Sequence, residues 1–406
     1  MATSIAAAPE GALPPPAGRA PRVQVAPART AADRRAFIDL PFRLYRGQPH
    51  WVPPLKSDVA ALVDPAKHPF HEHAEVELFL ARDAGGRVVG RVAAIRNRLH
   101  EETHHEAVGF FGLFESERDP AVAAALLDAA AAWLRARGLT TVRGPANLSS
   151  NEDWGLLVEG FDRDPSVMMP YNPPYYAALI EGAGFHKAKD VLAYELGVHS
   201  YGLAPDASVA EVEARIPERL RNFERLAQER YGVTVRPFDK KNFDAEIERI
   251  RALYNGAWEA NWGFVPFTEH EFDHLAKQLK PVADFDLIAF VEVKGETAGF
   301  AIALPDLNQA LKHMNGSLLP FGWAKGLWYG RRIDALRVLT LGVLPKFRRT
   351  GAAELLYLYL FRAGIRKGIR SGEFSWILED NLAMRTPMEK LGAEITKRYR
   401  LYDRAL

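Results

Sequence analysis

Residues 337–368 read RVLTLGVLPKFRRTGAAELLYLYLFRAGIRKG. The apolar run 338–344 predicts a buried strand, and the spacing of apolar residues after Gly351 predicts a helix with one buried face. Between them lies the turn Arg348-Arg349-Thr350-Gly351-Ala352-Ala353. The first amides of a helix have no intrahelical partners and carry partial positive charge, so a helix that starts behind two arginines suits a phosphate. Gly351 lets a diphosphate approach the backbone closely. Arg348 and Arg349 add charge-assisted hydrogen bonds. Strand, basic turn and helix in this order predict a mixed α/β arrangement around a central sheet.

Outward from this segment, the same series of elements occurs twice. VQVAP (23–27) recurs as VTVRP (233–237), RLYRG (43–47) as ALYNG (252–256), and GRVVGRVAAI (86–95) as GETAGFAIAL (295–304). NPPYYAALIEGAGF (172–185) faces NLAMRTPMEKLGA (381–393). Positions 45 and 254, 90 and 299, and 172 and 381 share an offset of 209, whereas Gly112 with Gly342 and Gly138 with Gly368 share 230. A register that holds, shifts and returns predicts two copies of one domain-sized fold rather than a solenoid. The expectation is a mixed, α+β-like α/β chain of two tandem domains, each a twisted mixed central sheet flanked by helices. A tail (1–21) precedes the first domain (22–197), a linker helix (198–230) broken near Pro217 follows it, and the second domain (231–406) closes the chain.

With 406 residues, 48% of them hydrophobic, the chain is long enough for two cores. A formal net charge of +1 gives no general attraction to nucleic acid. The absence of cysteine excludes disulfides, thiolate metal sites and a cysteine nucleophile, and suits a reducing cytosol. The Ala/Pro-rich residues 1–21 lack the basic start and apolar block of a signal peptide and are expected to be disordered. No apolar run approaches the ~18 residues of a membrane span; Asp128 interrupts the Ala-rich run 121–133. A cytoplasmic location is expected, with any membrane contact made peripherally from the inner face.

The basic turn resembles the pyrophosphate signature of the GNAT acyltransferase superfamily, Arg/Gln-x-x-Gly-x-Gly/Ala after the fourth strand. Arg348, Gly351 and Ala353 match it. The resemblance implies acyl-CoA as co-substrate, its pyrophosphate held by Arg348, Arg349, Thr350, Gly351, Ala352 and Ala353. It implies backbone contacts from Leu341, Gly342 and Val343 to the pantetheine and the thioester carbonyl. Asn381 matches the asparagine of the family's next block, while Ala393 stands where phenylalanine is usual. The aligned stretch of the first copy, FGLFESERDPAVAAALL, has Asp119 for the second arginine and Ala121 for Gly351, with Glu115 and Glu117 close by. Asp119-Pro120 is a good helix start by itself. The first copy is therefore expected to repel pyrophosphate and to serve as a substrate-binding or scaffold domain.

Three segments suit the other substrates. The insertion 147–164 offers Asn151, Asp153 and Trp154 to orient and cover a head group. The insertion 306–332 interleaves Leu, Phe, Trp and Tyr with Lys and Arg and includes Trp328. It suits internal packing, a cover over a long acyl chain, or an interfacial patch. Segment 257–272 lies where GNAT enzymes shape the acceptor pocket; Trp258, Trp262 and Phe264 would line it and Glu259 would meet the amine. Amide formation from a thioester needs a base for the ammonium proton, and Glu379 or Glu259 is expected to supply it. Where many GNAT enzymes place an acidic tyrosine, this chain has Met388 and, in the first copy, Ile180, which leaves Tyr399 or water as the acid. His100-Glu101-Glu102-Thr103-His104 fits H-E-x-x-H. Together with His68, His71 and His73, its histidines are expected to be solvated loop residues, and no metal is expected.

Longer phrases narrow the resemblance. PFRLYRGQPHWVPPL (41–55), GFFGLFES (109–116), GLLVEGFD (155–162), MMPYNPPYY (168–176) and WEANWGFVP (258–266) resemble a bacterial family of tandem GNAT proteins that includes bacterial ceramide synthases. That implies an N-acyltransferase moving a long acyl group from acyl-CoA to a sphingoid base or similar lipid amine. Acylation of a small polar amine or amino acid, and CoA binding without turnover, remain the alternatives.

Overall fold

Alternating apolar residues and short glycine turns lay down most of the strands, and capped amphipathic segments lay down the helices. The computed structural model describes residues 23–216, 218–258 and 261–406; the tail 1–21, Pro217 and Glu259 lie outside them. The chain forms two compact units: Met1–Asp190 together with Lys397–Leu406, and Val191–Thr396.

Unit 1 contains β1 (Gln24–Pro27), α1 (Ala31–Leu44), α2 (Lys56–Leu62), β2 (Ala74–Arg82), β3 (Val88–Asn97), α3 (Arg98–His104), β4 (Val108–Ser116), α4 (Pro120–Arg135), β5 (Thr141–Gly144), β6 (Leu156–Glu159) and α5 (Tyr176–Gly182). It ends in β7 (His186–Gly197), whose residues from Val191 onward belong to unit 2. Unit 2 continues with α6 (Val209–Arg215), α7 (Glu218–Tyr231), β8 (Val233–Pro237), α8 (Phe243–Trp258), α9 (Glu269–Leu279), β9 (Ile288–Val293), β10 (Glu296–Pro305), α10 (Asn308–Leu311) and α11 (Gly322–Gly330). It is completed by β11 (Ala335–Val343), α12 (Ala352–Arg366), β12 (Ser371–Leu378), α13 (Leu382–Lys390) and the start of β13 (Glu394–Ala405).

Within unit 1, β1, β2, β3 and β4 pair antiparallel in order, and β4 pairs parallel with β5. The C-terminal residues of β13 add to β5 and β6. Unit 2 repeats the plan: β8, β9, β10 and β11 are antiparallel, β11 and β12 are parallel, and β12 pairs with Val191–Gly197 of β7. Each parallel pair needs a crossover, and α4 and α12 supply it. Lys294 and Gly295, both at positive φ, make the two-residue turn between β9 and β10. Capping boxes start α1 (Thr30, Asp33), α6 (Ser208, Glu211) and α9 (Thr268, Glu271). The core of unit 1 gathers Phe111, Leu126, Leu134, Val142 and Tyr402. That of unit 2 gathers Val291, Leu341, Val343, Leu356 and Leu360.

The pairing corrects the alignment of the two copies. Gly90 faces Ser116 and Gly299 faces Val343, so β4 and β11 are offset by 227, the step from 116 to 343, and not by 230. From Val343 to the cap of the next helix, seven residues intervene (344–350), but only Glu117 and Arg118 do so after Ser116. Gly351 therefore corresponds to the cap Asp119, and not to Ala121. Residues 344–350 contain both arginines, so the basic turn belongs to a connection five residues longer than the Glu117-Arg118 link of unit 1.

The C-terminal strand is held in unit 1 by ion pairs. Arg400 donates to both oxygens of buried Asp190 at 2.8 and 3.1 Å, and Lys187 approaches it at 3.0 Å. Arg143 grips Asp403 at 2.9 and 2.8 Å. Burial alone would raise the Asp190 pKa, but hydrogen bonds from Arg400 and Lys187 outweigh it and leave the pKa below its ordinary value. A depressed folded pKa stabilises above the unfolded value near 3.9 and is lost as pH falls through the folded one. Asp190→Ala removes the buried acceptor of half-buried Arg400 and exposed Lys187, which water can resolvate, and is expected to cost ~1–2 kcal/mol in urea unfolding at neutral pH, with the difference shrinking toward strong acid.

Candidate active site

The β11–β12 ladder runs from Ala335/Ser371 to Val338/Phe374 and stops there, four residues into a nine-residue strand. At the next residue the β10–β11 register slips: Ile302 faces Thr340 and Ala303 faces Val338, leaving Leu339 as a bulge. Beyond it the two strands diverge. Partners in an antiparallel ladder alternate between bonded and non-bonded pairs. The Leu344 N–H donates to the Ala298 carbonyl at 2.9 Å. Val343 and Leu341 thus fall in non-bonded pairs, and their amides turn away from β10 toward the side where β12 has left. This places backbone donors along a gap between strands.

The gap leads to the start of α12. The turn is tight: Phe347 N–H bonds Leu344 O at 2.9 Å, Thr350 N–H bonds Phe347 O at 3.1 Å, and Thr350 Oγ1 donates to the same carbonyl at 2.7 Å. Gly351 is the N-cap at φ 87°, a left-handed conformation, and no side chain caps the helix. Arg348 and Arg349 are exposed, and Arg348 Nε reaches Val343 O at 3.4 Å. A Cβ on Gly351 would lie 2.7 Å from the Phe223 ring and 3.2 Å from Ala227, so α7 forms one wall of this turn. Along α12 runs an apolar cavity of about 270 Å³, lined among others by Phe223, Val338, Tyr357, Phe361, Phe374 and Leu391. Burial, with Glu354 adding to it, pushes the Tyr357 hydroxyl well above its ordinary pKa, so it stays protonated.

The opposite face of the gap is polar. Buried Arg337 donates to Ser375 Oγ at 3.0 Å, and Ser375 Oγ donates to Glu373 at 2.9 Å. The Trp376 ring lies 4.9 Å from the Arg337 guanidinium. Trp376 Nε1 and Thr340 Oγ1 are buried without a hydrogen-bond partner. Their neighbours Leu341 and Ile377 belong to the core under α12, so strand alternation puts Thr340 and Trp376 on the other face. A buried donor left unmade costs ~1–3 kcal/mol, and two of them flanking a strand gap suit a polar ligand there. An acyl-CoA fits these features: phosphates at the uncapped helix start, pantetheine amides along Leu341 and Val343, and a carbonyl within the polar face.

The chain is 39% identical over 391 residues to the bacterial ceramide synthase of Caulobacter vibrioides, covering 95% of this chain and 98% of that protein. The chain belongs to the tandem GNAT family that includes this ceramide synthase. It is also 37% identical over 380 residues to protein YghO of Escherichia coli, covering 92% of this chain and 93% of that one. No family model matches it. Similar solved structures include a tandem GNAT protein from the clavulanic acid biosynthesis pathway (TM-score 0.54, 15% identity, 95% of this chain and 98% of that one). A GCN5-related N-acetyltransferase from Sphaerobacter thermophilus is another (TM-score 0.50, 15% identity, 97% of both chains). At that identity the likeness is one of fold, and both tandem GNAT-like domains are covered.

In unit 1 of this tandem GNAT chain the corresponding gap is filled by the protein itself. After Phe110 pairs with Arg143, Ala146 N–H donates to Phe111 O at 2.8 Å, and Leu113 N–H donates to Asn147 Oδ1 at 2.7 Å. A Cβ on Gly112 would come within 1.8 Å of the Ala146 carbonyl. Asp119 caps α4 through Ala121 N–H at 2.8 Å. The carboxylates expected to repel pyrophosphate are not displayed. Glu115 is enclosed with Arg91 at 3.6 Å and Tyr176 at 2.7 Å, and burial raises its pKa despite Arg91. Glu117 is gripped by Arg43 and Arg87 at 2.6 and 2.7 Å.

The structure disperses the remaining candidates. Glu379 is half-buried at the end of β12, its carbonyl accepting from Arg385. Asn381 caps α13, accepting from Met384 N–H at 3.2 Å. Phe264 packs 5.7 Å from Tyr254, and Trp262 is half-buried beside it. Trp258 ends α8, and Glu259 is outside the described residues. Trp328 is exposed on α11. Asn151, Asp153 and Trp154 belong to the segment that seals unit 1: Asn147 N–H bonds Asp153 O at 2.7 Å, and buried Trp154 bridges to Ala146. Tyr399 and Met388 are fully buried, in units 1 and 2 respectively.

The histidines are not solvated loop residues. His100 lies in α3, buried, and burial, His104 and Arg143 lower its pKa to about 3. His68 is buried; His71 bonds Leu62 O at 3.0 Å and His73 bonds Asn97 at 3.1 Å. Among the described residues, no group of three or more His, Cys, Asp or Glu is placed to hold a metal. No local sequence pattern marks Phe223, Thr340 or Trp376; Asn147 carries a positional signal as the first residue of the insertion 147–164.

Gly351→Ala is expected to cost ~1–2 kcal/mol through left-handed strain and contact with Phe223, and Phe223→Ala to return part of it. A double-mutant cycle in urea reads that coupling. Asn147→Ala is expected to cost ~1–3 kcal/mol by stranding the Leu113 amide, while CoA affinity measured by calorimetry stays at the wild-type value.

Proposed function

We propose that the chain is an acyl-CoA-dependent N-acyltransferase that joins a long acyl group to a sphingoid base or similar lipid amine. The observation that carries the reading is the open gap between β11 and β12 running into an uncapped, arginine-bearing helix start. The ceramide synthase relative, at 39% identity over nearly the whole of both chains, supports the substrate class.

Arg348, Arg349, Thr350 and the amides of Ala352 and Ala353 would hold the pyrophosphate, with Gly351 giving close access. Leu341, Gly342 and Val343 would line the pantetheine, and the Val343 amide would polarise the thioester carbonyl. When bound, acyl-CoA supplies an activated acyl carbon. Glu379, directly or through water, would take one proton from the substrate ammonium so that the neutral nitrogen can attack. The N–C bond forms, the C–S bond breaks, and the departing thiolate takes the nitrogen's second surplus proton or leaves it to water. The apolar cavity along α12 and the Tyr254–Phe264 cluster would bury hydrocarbon. Unit 1, with its gap sealed, would hold no acyl-CoA.

Purified protein is incubated with acetyl-, octanoyl- and palmitoyl-CoA and with sphinganine or small polar amines, and mass spectrometry follows free CoA and amide. Palmitoyl-CoA with sphinganine is expected to give the fastest turnover. Arg349→Glu and Gly351→Asp are expected to abolish it, and Glu379→Gln to lower kcat on the order of 10²-fold or more with little change in KM. Preference for acetyl-CoA with a small amine would replace the lipid reading. Full activity in both turn variants would overturn the site.

A further inference from the structure

Between β10 and β11 the chain makes a helical hairpin of α10 and α11. Its inner contacts use small groups: a Cβ on Gly322 would lie 1.8 Å from the Ser317 carbonyl, and one on Gly326 would lie 3.1 Å from the Met314 sulfur. His313 stacks on Tyr329 with ring centroids 3.6 Å apart. Gly322, Gly326 and Tyr329 thus mark the inward side of α11. At about 100° per residue, the outward side carries Trp323, Ala324, Leu327 and Trp328. The helix turns its apolar side chains to solvent and its glycines to the protein, the reverse of an ordinary surface helix.

The preceding turn continues this surface with Leu318, Leu319 and Phe321. Of the twelve exposed large hydrophobics among the described residues, six lie between 318 and 328, with Leu319 and Phe321 at 75% and 71%. So concentrated a patch marks an interaction surface rather than scattered exposure. Its charge is one-sided: residues 307–333 contain Lys312, Lys325, Arg331 and Arg332 and no Asp or Glu. Lys325, Arg331 and Arg332 are exposed, and the Arg332 guanidinium sits 4.5 Å from the Trp328 ring. Trp, Phe and Leu rimmed by Lys and Arg suit the boundary between acyl chains and anionic head groups. No described helix is long and apolar enough to cross a membrane, so contact through this hairpin would be interfacial.

We infer that the α10–α11 hairpin docks on an anionic lipid bilayer, burying Leu318, Leu319, Phe321, Trp323 and Leu327 among the acyl chains with Lys325, Arg331 and Arg332 at the phosphates. The inference needs no acyl transfer, so the two stand or fall separately. The test is flotation of the full-length protein with phosphatidylcholine vesicles and with mixed phosphatidylcholine–phosphatidylglycerol vesicles, no acyl-CoA present. Wild-type protein is expected to float with the mixed vesicles, less at high salt, with a blue shift in tryptophan emission.

Phe321→Ser with Leu327→Ser is expected to lower partitioning at least ~10-fold. Lys325→Glu with Arg331→Glu is expected to remove the preference for anionic lipid, roughly a tenfold effect. Circular dichroism and thermal melting check both folds; the charge variant, altered only at exposed side chains, gives the comparison if the apolar one melts early. No flotation of the wild type, or equal flotation of wild type and a folded variant, would overturn the inference. So would a dimer in gel filtration that Phe321→Ser with Leu327→Ser dissociates without any lipid binding.

Discussion

The end of the β11–β12 ladder at Val338 and Phe374 is the constraint around which unit 2 is arranged. A sheet interior cannot leave backbone groups unpaired without cost, so every divergence of strands must be answered by protein, water or ligand. The Leu339 bulge starts the divergence and reorients the amides that follow. Unit 1 shows what the chain does when it answers from within: Ala146 and Asn147 take the bonds offered by Phe111 and Leu113. Gly112 is the residue that lets this closure fit, because any side chain would collide with the Ala146 carbonyl. Unit 2 makes no such closure among the bonds described at Leu341 and Val343, and it strands Thr340 Oγ1 and Trp376 Nε1 beside the gap.

The helix starts repeat the contrast. Asp119 satisfies α4 and adds negative charge at its positive end, a stabilising arrangement. Gly351 provides no cap, and its left-handed φ is accommodated only because it lacks a Cβ. The seven-residue connection, five residues longer than its counterpart in unit 1, brings Arg348 and Arg349 to a helix start that has no acidic cap. The two copies therefore share a scaffold but differ at this point: one spends its strand gap on internal bonding, the other leaves it open, and the proposed acyl-CoA site rests on that opening.

Much of this was legible in the sequence. The repeated phrases located both sheets, and the strand–turn–helix reading of 337–368 matches β11, the Gly351 cap and α12. The 209 offset survives in β3 and β10, whereas the supposed 230 offset of the central strands is 227. Of the glycines that suggested 230, Gly138 and Gly368 do correspond, both left-handed just past α4 and α12 and followed by β5 and β12; Gly112 does not match Gly342, because it admits the Ala146 carbonyl, a contact between segments that no local pattern reveals. Long-range packing hid the other surprises too. Phe223 on Gly351 and the burial of His100 depend on neighbours far along the chain. Glu115 and Glu117 looked repulsive in one dimension, yet Arg91, Tyr176, Arg43 and Arg87 neutralise them in three.

In the insertion 306–332, composition and placement carry different information. Aromatic and basic residues alone were compatible with packing, with a cover over an acyl chain and with an interface. The glycines of α11 argue against internal packing, since they occupy the side that packs on Met314 and leave Trp323, Leu327 and Trp328 facing out. A helix that only packed inward would put its large side chains where the glycines are. Keeping them outside costs solvent exposure in the isolated protein, which the inferred contact with a lipid surface would turn into burial. For a lipid amine, scarce in water and concentrated in bilayers, such a contact would also bring the unit to its acceptor.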